Sequence, residues 1–251
     1  MKFRLSAFGL HLSGSAVALT LVLGTFWLAW YRWPGWYLAS VLHVVRILVM
    51  VDVVLGPTLT LIVANPGKPR RELARDIGII VAVQLAALIY GATTLWLGRP
   101  LYYTFSADRL ELVQASDLKA ADVATARASN PALAPFWYSL PRWIWAPLPE
   151  NAEEAQKIVN GALFGGADVI QMPKFFRPWK EGLPELRKQL RSLDKIQFFT
   201  PAEKARLKSR LSQRGLPADQ ADAIVMWGGT RHVLTVFDPA TLEIRAIIAP
   251  D

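Results

Sequence analysis

Three long apolar stretches in the first 98 residues of this 251-residue chain constrain its fold more than any other feature. They cover about residues 7–30, 37–64 and 77–97. An α-helix needs roughly 20 apolar residues to cross the hydrocarbon core of a bilayer, and each stretch meets that length. The sequence therefore predicts a domain of three transmembrane helices over residues 1–98.

The first apolar stretch follows Lys2 and Arg4, as the core of a secretory signal peptide would. A signal peptide, however, has an apolar core of roughly 7–15 residues and a cleavage site flanked by small side chains. Here the apolar run continues into the bulky sequence TFWLAWYRW, residues 25–33. We therefore expect this helix to remain in the protein.

Basic residues set the expected orientation of the three helices. The N-terminus and the loop over residues 65–76 carry Lys2, Arg4, Lys68, Arg70, Arg71 and Arg75, whereas the other short loop carries only Arg32. Loops rich in lysine and arginine stay in the cytoplasm. Three crossings then place residues 99–251 outside, which in a bacterial inner membrane is the periplasm. The net charge of +8 is therefore related to orientation, and we expect no nucleic-acid partner.

The second stretch contains two charged residues, Arg46 and Asp52. Six helical positions separate them by about 120° of rotation and about 9 Å of rise, so they do not share a face. Counted from the cytoplasmic ends of the stretches, Tyr90 matches the depth of Asp52, and Gln84 lies about two turns lower. Arg46 lies nearer the outer surface, one turn from His43. Three interpretations remain open: polar pairing inside the bundle, a groove for another transmembrane helix of complementary charge, or a proton or ion path.

Pro57 follows Asp52 by little more than one helical turn. Its backbone nitrogen has no hydrogen to donate, so an α-helix is loosened or bent at this point. The sequence therefore predicts an irregular helix beside the Asp52 carboxylate.

Residues 99–251 are enough for one globular domain of ordinary size. Alternating apolar residues and turn signals predict a strand or a hairpin over 101–114 and two strands over 232–248 joined at 238–241. Helical spacing and capping signals predict helices over 117–128, 151–163 and 200–214, and 129–149 is expected to be irregular. The predicted fold class is a membrane-anchored α+β protein, with three transmembrane helices followed by one mixed α/β periplasmic domain.

Residues 187–214 hold a cluster of lysines and arginines, which is interpreted either as a solvated helix face or as a surface for anionic lipid or an acidic partner. The histidines, His11, His43 and His232, have no carboxylate or second histidine at metal-ligand spacing. The glycine-rich sequence GALFGGAD lacks the lysine of a phosphate-binding loop. We therefore expect no cofactor, no metal and no enzymatic activity.

Several motifs resemble the type IV pilin accessory protein family. The strongest is VDVVLGPTLTLIVANPGKPRRELARDIGIIVAVQLAALIYG, residues 51–91, and the similarity continues in residues 99–117, in GGADVIQMPKFFRPW (165–179) and in VFDPATLEIRAI. Its most specific positions are Asp52, Gly56, Pro57, Asn65, Pro66, Lys68, Asp76, Gln84, Tyr90 and Gly91. The family's P-x-x-Y-x-P pattern departs here, because Phe176 stands between Pro173 and Pro178 and the hydroxyl is missing.

The resemblance implies a multi-pass protein of the bacterial inner membrane that acts, in a chaperone-like way, on one cognate major pilin before pilus assembly. Such proteins stabilise or present the pilin and work beside other pilus assembly proteins; they are neither pilus subunits nor enzymes. Type IV pilins wait in the lipid bilayer with one N-terminal apolar helix, which carries a glutamate near its start, and a globular head outside.

The charged residues of the second stretch and the family resemblance together predict two binding sites. Arg46 and His43 are expected near a groove for the pilin helix, with Asp52, Gln84 and Tyr90 as polar residues of the bundle. The segment with Trp137, Trp143 and Trp145, together with the late strands, is expected to contact the pilin head. Two tethered contacts raise the effective concentration of each other, so each one can be weak.

Two other classes of function stay open. A membrane-embedded enzyme that modifies pilin or a lipid-linked sugar would need more spans or an acidic pair at a substrate mouth. A membrane-anchored sensor would need a cytoplasmic output domain, and the predicted cytoplasmic segments are short.

Overall fold

The computed structural model describes residues 1–216 and 222–251, which form two compact units. The helical unit contains Met1–Arg32 and Val41–Gly98, and the globular unit contains Trp33–Ser40 and Arg99–Asp251. The sequence predicts a single boundary after residue 98, and the observed division differs from it in one segment. The link between the first two apolar stretches, Trp33–Ser40, is part of the globular unit.

Three apolar helices form the helical unit. Helix 1 is Lys2–Ala29, helix 2 is Leu42–Val63 and helix 3 is Arg70–Leu97, and each is long and apolar enough to cross a membrane. The three predicted helices are therefore present, with shifted bounds. Helix 3 begins seven residues before the apolar stretch, because the charged residues after Pro69 favour a helix as well as apolar ones do. Helix 2 begins only at Leu42, because residues 33–40 pack elsewhere.

Helix 2 changes its winding halfway along. Leu42–Val49 and Gly56–Val63 are α-helical, and Met50–Leu55 between them is a π-helical turn. Pro57 cannot donate the α-helical hydrogen bond to the carbonyl of Val53, which favours the wider turn. The predicted irregularity is thus present beside Asp52.

The loop between helices 2 and 3 is held by its own polar residues. The backbone N–H of Gly67 donates to the side-chain oxygen of Asn65 at 3.1 Å. The Lys68 ammonium lies 2.7 Å from a carboxylate oxygen of Asp76, in the second turn of helix 3. Asn65, Lys68 and Asp76, three of the positions most specific to the family resemblance, therefore shape this turn.

A seven-stranded mixed sheet forms the centre of the globular unit, in the order β4-β3-β1-β2-β5-β6-β7. The strands are β1 Pro100–Ser106, β2 Arg109–Gln114, β3 Arg142–Trp145, β4 Arg177–Pro178, β5 Asp222–Gly228, β6 Arg231–Phe237 and β7 Ile244–Ile248. The pairs β1–β3 and β2–β5 are parallel, and the other neighbours are antiparallel.

Both faces of this sheet are covered. One face packs against the helix Leu183–Gln189 and against Tyr37 and Leu38 of the 33–40 segment. The opposite face packs against the helices Pro201–Ser212 and Ala152–Leu163. Successive residues of a strand point to opposite faces, so a sheet covered on both sides has strands that are buried almost throughout, as β1 is.

Most of the predicted elements of the globular unit are confirmed. The β1–β2 hairpin, the β6–β7 hairpin and the helix Ala152–Leu163 are present, and Thr200 and Glu203 cap the helix Pro201–Ser212 reciprocally. The helix predicted over 117–128 is Ala120–Ser129. The prediction that 129–149 is irregular was wrong for β3, which pairs in parallel with a strand about 40 residues earlier. The local sequence, which is rich in proline, does not indicate a strand, because the partner strand lies far away along the chain.

Candidate functional site

A cluster of polar side chains lies inside the helical unit. His11 Nδ1 lies 2.5 Å from Thr60 Oγ1, and His11 Nε2 lies 2.7 Å from Gln84 Oε1. The Gln84 amide nitrogen donates to the backbone carbonyl of Asp52 at 3.0 Å and, more weakly, to Ser15 Oγ at 3.4 Å. The cluster therefore joins all three apolar helices through hydrogen bonds.

The π-helical turn explains why the Asp52 carbonyl is free to accept from Gln84. In an α-helix this carbonyl would accept from the N–H of Gly56, but here that N–H is bonded to Val51. Pro57, the next residue, has no N–H to offer. The Gln84 side chain supplies the missing donor, which satisfies a carbonyl that would otherwise be buried without a partner.

The hydrogen bonds also fix the tautomer of His11. Because Gln84 donates through Nε2, its Oε1 is the atom that faces the imidazole and can only accept. His11 Nε2 must therefore carry a hydrogen. In the neutral ring Nδ1 is then an acceptor for the Thr60 hydroxyl.

Two glycines let helix 3 approach helix 2 closely. A Cβ at Gly56 would lie 2.1 Å from Gln84 Nε2, and a Cβ at Gly91 would lie 2.5 Å from a methyl group of Leu48. A side chain at Gly56 would displace the Gln84 amide from its partners. The glycine is therefore a condition for the polar cluster.

The Asp52 carboxylate lies at the floor of a groove between helices 1 and 3. The residue is 5% exposed, and its Oδ2 has no hydrogen-bond partner among the described residues. The groove has a volume of about 400 Å³ and is lined mainly by apolar side chains. A buried carboxylate oxygen without a donor is costly, so this atom marks the least satisfied point of the helical unit.

The structure brings together two of the predicted polar residues and separates a third. Gln84 is buried and bonded to Asp52, whereas Tyr90 is 77% exposed and lies outside the cluster. The expectation that Tyr90 matches the depth of Asp52 was wrong. The apolar stretch begins at residue 77, but helix 3 begins at Arg70, and this earlier start moves Gln84 to the level of Asp52.

Arg46 and His43 lie on the outside of helix 2 and not in the polar cluster. Both are exposed and three positions apart, so they share one face of the helix. Across residues 1–216 and 222–251, no hydrogen bond or ion pair involves either side chain. The guanidinium of Arg46 is thus an exposed cation in the second turn of an apolar helix.

The three tryptophans predicted to contact a pilin head have different environments. Trp137 is 69% exposed in a loop where the rings of Phe136 and Tyr138 stack at 5.8 Å. Trp143 is half-buried and packs on Tyr103, with ring centroids 4.8 Å apart. Trp145 is also half-buried and lies against the backbone of Gly182. Only Trp137 offers an open aromatic surface, because β3 places Trp143 and Trp145 against the core.

The departure from the family's tyrosine pattern has a clear structural context. Phe176 is buried and packs edge-on against Tyr102, with ring centroids 4.9 Å apart. Burial raises the pKa of Tyr102 to about 12, and its hydroxyl donates to the carbonyl of Leu133 at 2.7 Å. Phe176 thus needs no polar partner of its own at this buried position.

The segment Trp33–Ser40 is bound firmly within the globular unit. The Trp33 indole N–H donates to the carbonyl of Ile247 at 3.1 Å, and the Tyr37 hydroxyl donates to Asp251 at 2.9 Å. The Arg231 guanidinium lies 4.6 Å from the centre of the Tyr37 ring. Burial raises the pKa of the Tyr37 phenol, and the hydrogen bond to Asp251 raises it further by a smaller amount. Leu38 is fully buried against Gly228.

Three members of the polar cluster were not predicted from the sequence: His11, Ser15 and Thr60. His11 and Ser15 are four positions apart on helix 1 and therefore share a face, which is the signal that the sequence did offer. Among the described residues, no group of three or more His, Asp or Glu side chains could hold a metal ion.

Three helices that are long and apolar enough to cross a membrane, joined to a mixed α/β unit, define the class of protein, and comparisons identify the family within it. The chain is 29% identical over 185 residues to the fimbrial assembly protein of serogroup I from Dichelobacter nodosus, covering 74% of this chain and 70% of that protein. It is 28% identical over 185 residues to the fimbrial assembly protein of serogroup E1 from the same organism, again covering 74% of this chain and 70% of that protein.

A third relative decides the family. The fimbrial assembly protein of serogroups C1 and C2 from the same organism is 30% identical over 110 residues, which cover 44% of this chain and 84% of that protein. No family model and no solved structure matches the chain. The chain belongs to the family of fimbrial assembly proteins, which confirms the resemblance to type IV pilin accessory proteins.

Proposed function

We propose that this protein acts in type IV pilus assembly by binding and stabilising a cognate major pilin in the inner membrane. The observation that carries the proposal is the family membership, because all three relatives are named for fimbrial assembly. The protein acts by binding and not by catalysis. Its partners are the pilin, the surrounding bilayer and other proteins of the assembly apparatus.

The two segments that make up the globular unit support the proposed topology. Trp33–Ser40 and Arg99–Asp251 belong to one compact unit, so both lie on the same side of the membrane. Helix 2 then crosses the bilayer away from this side, and helix 3 crosses it in the opposite direction and returns the chain to the same side. Because lysine and arginine concentrate at the N-terminus and in the 65–76 loop, that shared side is the periplasm.

Arg46 and His43 are the proposed contact for the pilin's apolar helix. A charged residue inside a membrane costs at least a few kcal/mol unless it reaches water, a headgroup or a partner. Arg46 has no partner among the described residues and points away from the bundle. The exposed loop with Phe136, Trp137 and Tyr138 is the proposed contact for the pilin head.

Co-purification of the major pilin of the same bacterium with the full-length chain tests this function. Wild-type protein extracted in mild detergent is expected to retain the pilin. Arg46→Glu is expected to reduce the retained pilin at least fivefold, whereas Arg46→Lys, which keeps the charge, is expected to retain most of it. Wild-type protein that retains no pilin contradicts the proposed function. Equal retention by Arg46→Glu removes only the role of Arg46.

A reporter fused after Asp251 tests the topology. Alkaline phosphatase at this position is expected to be active and green fluorescent protein dark, because the first folds only in the periplasm and the second only in the cytoplasm. The opposite pattern would place the globular unit in the cytoplasm and rule out a direct meeting with the pilin head.

A further inference from the structure

We propose that Trp33, Phe198, Arg206 and Arg231 form a surface of the globular unit, the lipid rim, that binds anionic phospholipid headgroups of the bilayer. The inference goes beyond pilin binding. It rests on one part of the proposed function, namely that helices 1–3 cross the membrane. It also gives a role to one arginine of the basic cluster over residues 187–214.

The lipid rim lies at one end of the sheet, the proximal end, where β1, β3 and β6 begin and β2, β5 and β7 end. The chain enters the globular unit at this same end. Helix 3 ends at Leu97 and β1 begins at Pro100, and Trp33 is bonded to Ile247 near the end of β7. The covalent connections to the apolar helices therefore hold the proximal end close to any bilayer that those helices cross.

On the face of the sheet that the 33–40 segment covers, the rim consists of Trp33 and Arg231. Trp33 is 43% exposed although its indole N–H is bonded. Arg231 is the first residue of β6, and 41% of its side chain is exposed above the Tyr37 ring. Its ion pair among the described residues is with the exposed Asp251 at 3.2 Å, and such a surface pair contributes little. The guanidinium thus remains open to a phosphate.

On the opposite face, the rim consists of Phe198 and Arg206. Phe198 is 45% exposed, and its ring lies 4.3 Å from that of Trp227 and 4.6 Å from that of His232, both at the proximal end. Arg206 lies in the helix Pro201–Ser212, one turn after Glu203, whose carboxylate is 3.9 Å from His232. Arg206 is exposed, and no hydrogen bond or ion pair within residues 1–216 and 222–251 involves its side chain.

The lysines of the same helix differ from Arg206. Lys204 donates to the backbone carbonyl of Asp194 at 3.0 Å, and Lys208 lies 2.7 Å from the Asp194 carboxylate. Both lysines are therefore bonded within the protein, on the flank of the helix away from His232. The basic cluster is thus divided between cations that are paired internally and Arg206, which faces the proximal end unpaired.

The combination of arginines and exposed aromatic rings fits a phospholipid surface. A guanidinium binds phosphate oxygens in a bidentate way. Tryptophan and other aromatic rings favour the region between headgroups and acyl chains. Because the chain connections keep this end beside the bilayer, the local concentration of headgroups is high and weak individual contacts suffice. These features favour lipid over an acidic protein as the partner.

Single fluorophores measure the approach of the rim to lipid, because the chain has no cysteine of its own. Ala202→Cys places an exposed thiol beside Glu203, and Ala240→Cys places one in the β6–β7 turn, about 20 Å away along the strands. The full-length protein is inserted into nanodiscs of phosphatidylcholine with or without phosphatidylglycerol, with nitroxide groups on some lipid headgroups. With phosphatidylglycerol, we expect quenching at residue 202 to exceed that at residue 240 about threefold, and to fall without it.

Charge reversal tests the role of Arg206. Arg206→Glu is expected to remove most of the quenching that depends on phosphatidylglycerol, and raised salt is expected to have the same effect. Lys180→Glu is the matched control and is expected to change little. Lys180 is exposed and follows β4, which pairs with the far end of β3. Because Arg206 is exposed, the unfolding temperature of Arg206→Glu is expected to equal that of wild type.

The outcomes separate the lipid rim from the proposed function. A chain that does not insert into nanodiscs overturns the membrane crossing and the rim together. An inserted chain with equal quenching at residues 202 and 240 overturns only the rim. Stronger quenching at residue 202 that depends neither on phosphatidylglycerol nor on Arg206 shows proximity without binding and also overturns it. If Arg206→Glu instead lowers co-purified pilin and leaves lipid quenching unchanged, the surface binds protein, and the proposal is wrong.

Discussion

The helical unit exposes many large apolar side chains and buries a few polar ones, whereas the globular unit is built around an extensive apolar core. Leu10, Ile62 and Ile89 are among the exposed residues of the helical unit, while Asp52, Thr60 and Gln84 are buried. In the globular unit, Phe105, Leu110 and Phe237 are fully buried between the sheet and the segments that cover it. The two parts of one chain are thus built for different surroundings.

The two units differ in what determines the specificity of their packing. Apolar packing excludes water in the globular unit, so size and shape decide which side chains fit. In lipid that driving force is weak, and close backbone approach and interhelical hydrogen bonds hold helices together. The glycines facing Gln84 and Leu48, and the hydrogen bonds of Gln84, are the corresponding devices in the helical unit.

Trp143→Ala is expected to have the largest effect on stability, because it removes a large, half-buried side chain that packs against the core of the globular unit. Truncation of Trp143, which packs on Tyr103 and Trp179, is expected to lower the free energy of unfolding by about 3 kcal/mol. Trp137→Ala is the matched control, and its exposed side chain predicts little change. Thermal unfolding of the detergent-solubilised full chain, followed by circular dichroism, gives both values. Equal losses for the two variants would contradict the placement of β3.

Gly228→Ala tests the packing of the 33–40 segment. A Cβ there would lie 2.8 Å from the backbone oxygen of Leu38, which cannot move without displacing the segment. A loss of about 2 kcal/mol is expected, as for other overpacked cores. Gly161→Ala, in a helix with nothing within 4 Å, is expected to be neutral or slightly stabilising. Faster proteolysis between residues 33 and 40 in Gly228→Ala would locate the damage, and identical protease resistance would argue against it.

Gln84→Leu tests the polar cluster of the helical unit. It leaves the carbonyl of Asp52 and one nitrogen of His11 without partners, and a loss of about 1–2 kcal/mol is expected from such unsatisfied groups. Tyr90→Leu, on the exposed side of the same helix, is the control and is expected to change little. Unfolding by increasing sodium dodecyl sulfate in mixed micelles measures both. A larger loss for Tyr90→Leu would reverse the assignment of the two residues.

The smallest expected effect concerns His232, which is expected to make the stability of the globular unit depend on pH. Burial lowers the pKa of His232, although Glu203, 3.9 Å away, acts in the opposite direction. The unfolded chain therefore binds the proton more readily, so stability falls as the pH drops from above about 6.5 through the lower pKa of the folded state. His232→Gln is expected to flatten the change in unfolding temperature between pH 7.5 and 5.5. A slope as steep as that of wild type would assign the dependence to other groups.

The sequence predicted those elements whose signals are local. Long apolar runs indicated the three helices, and Thr200 with Glu203 indicated the start of a helix. Strand β3 was missed because its pairing with β1 is long-range. Tyr90 was misplaced because the start of helix 3 depends on charged residues that hydropathy does not count.

The division into an apolar helical part and a globular part could be predicted from the order of residues, because hydropathy and periodicity are properties of consecutive residues. Three facts became visible only in the folded chain: residues 33–40 belong with residues 99–251, Gln84 is bonded to the Asp52 carbonyl, and Asp52 faces a groove. Each of these facts joins residues more than 20 positions apart. Such pairs are set by packing in three dimensions, which no local pattern of side chains specifies.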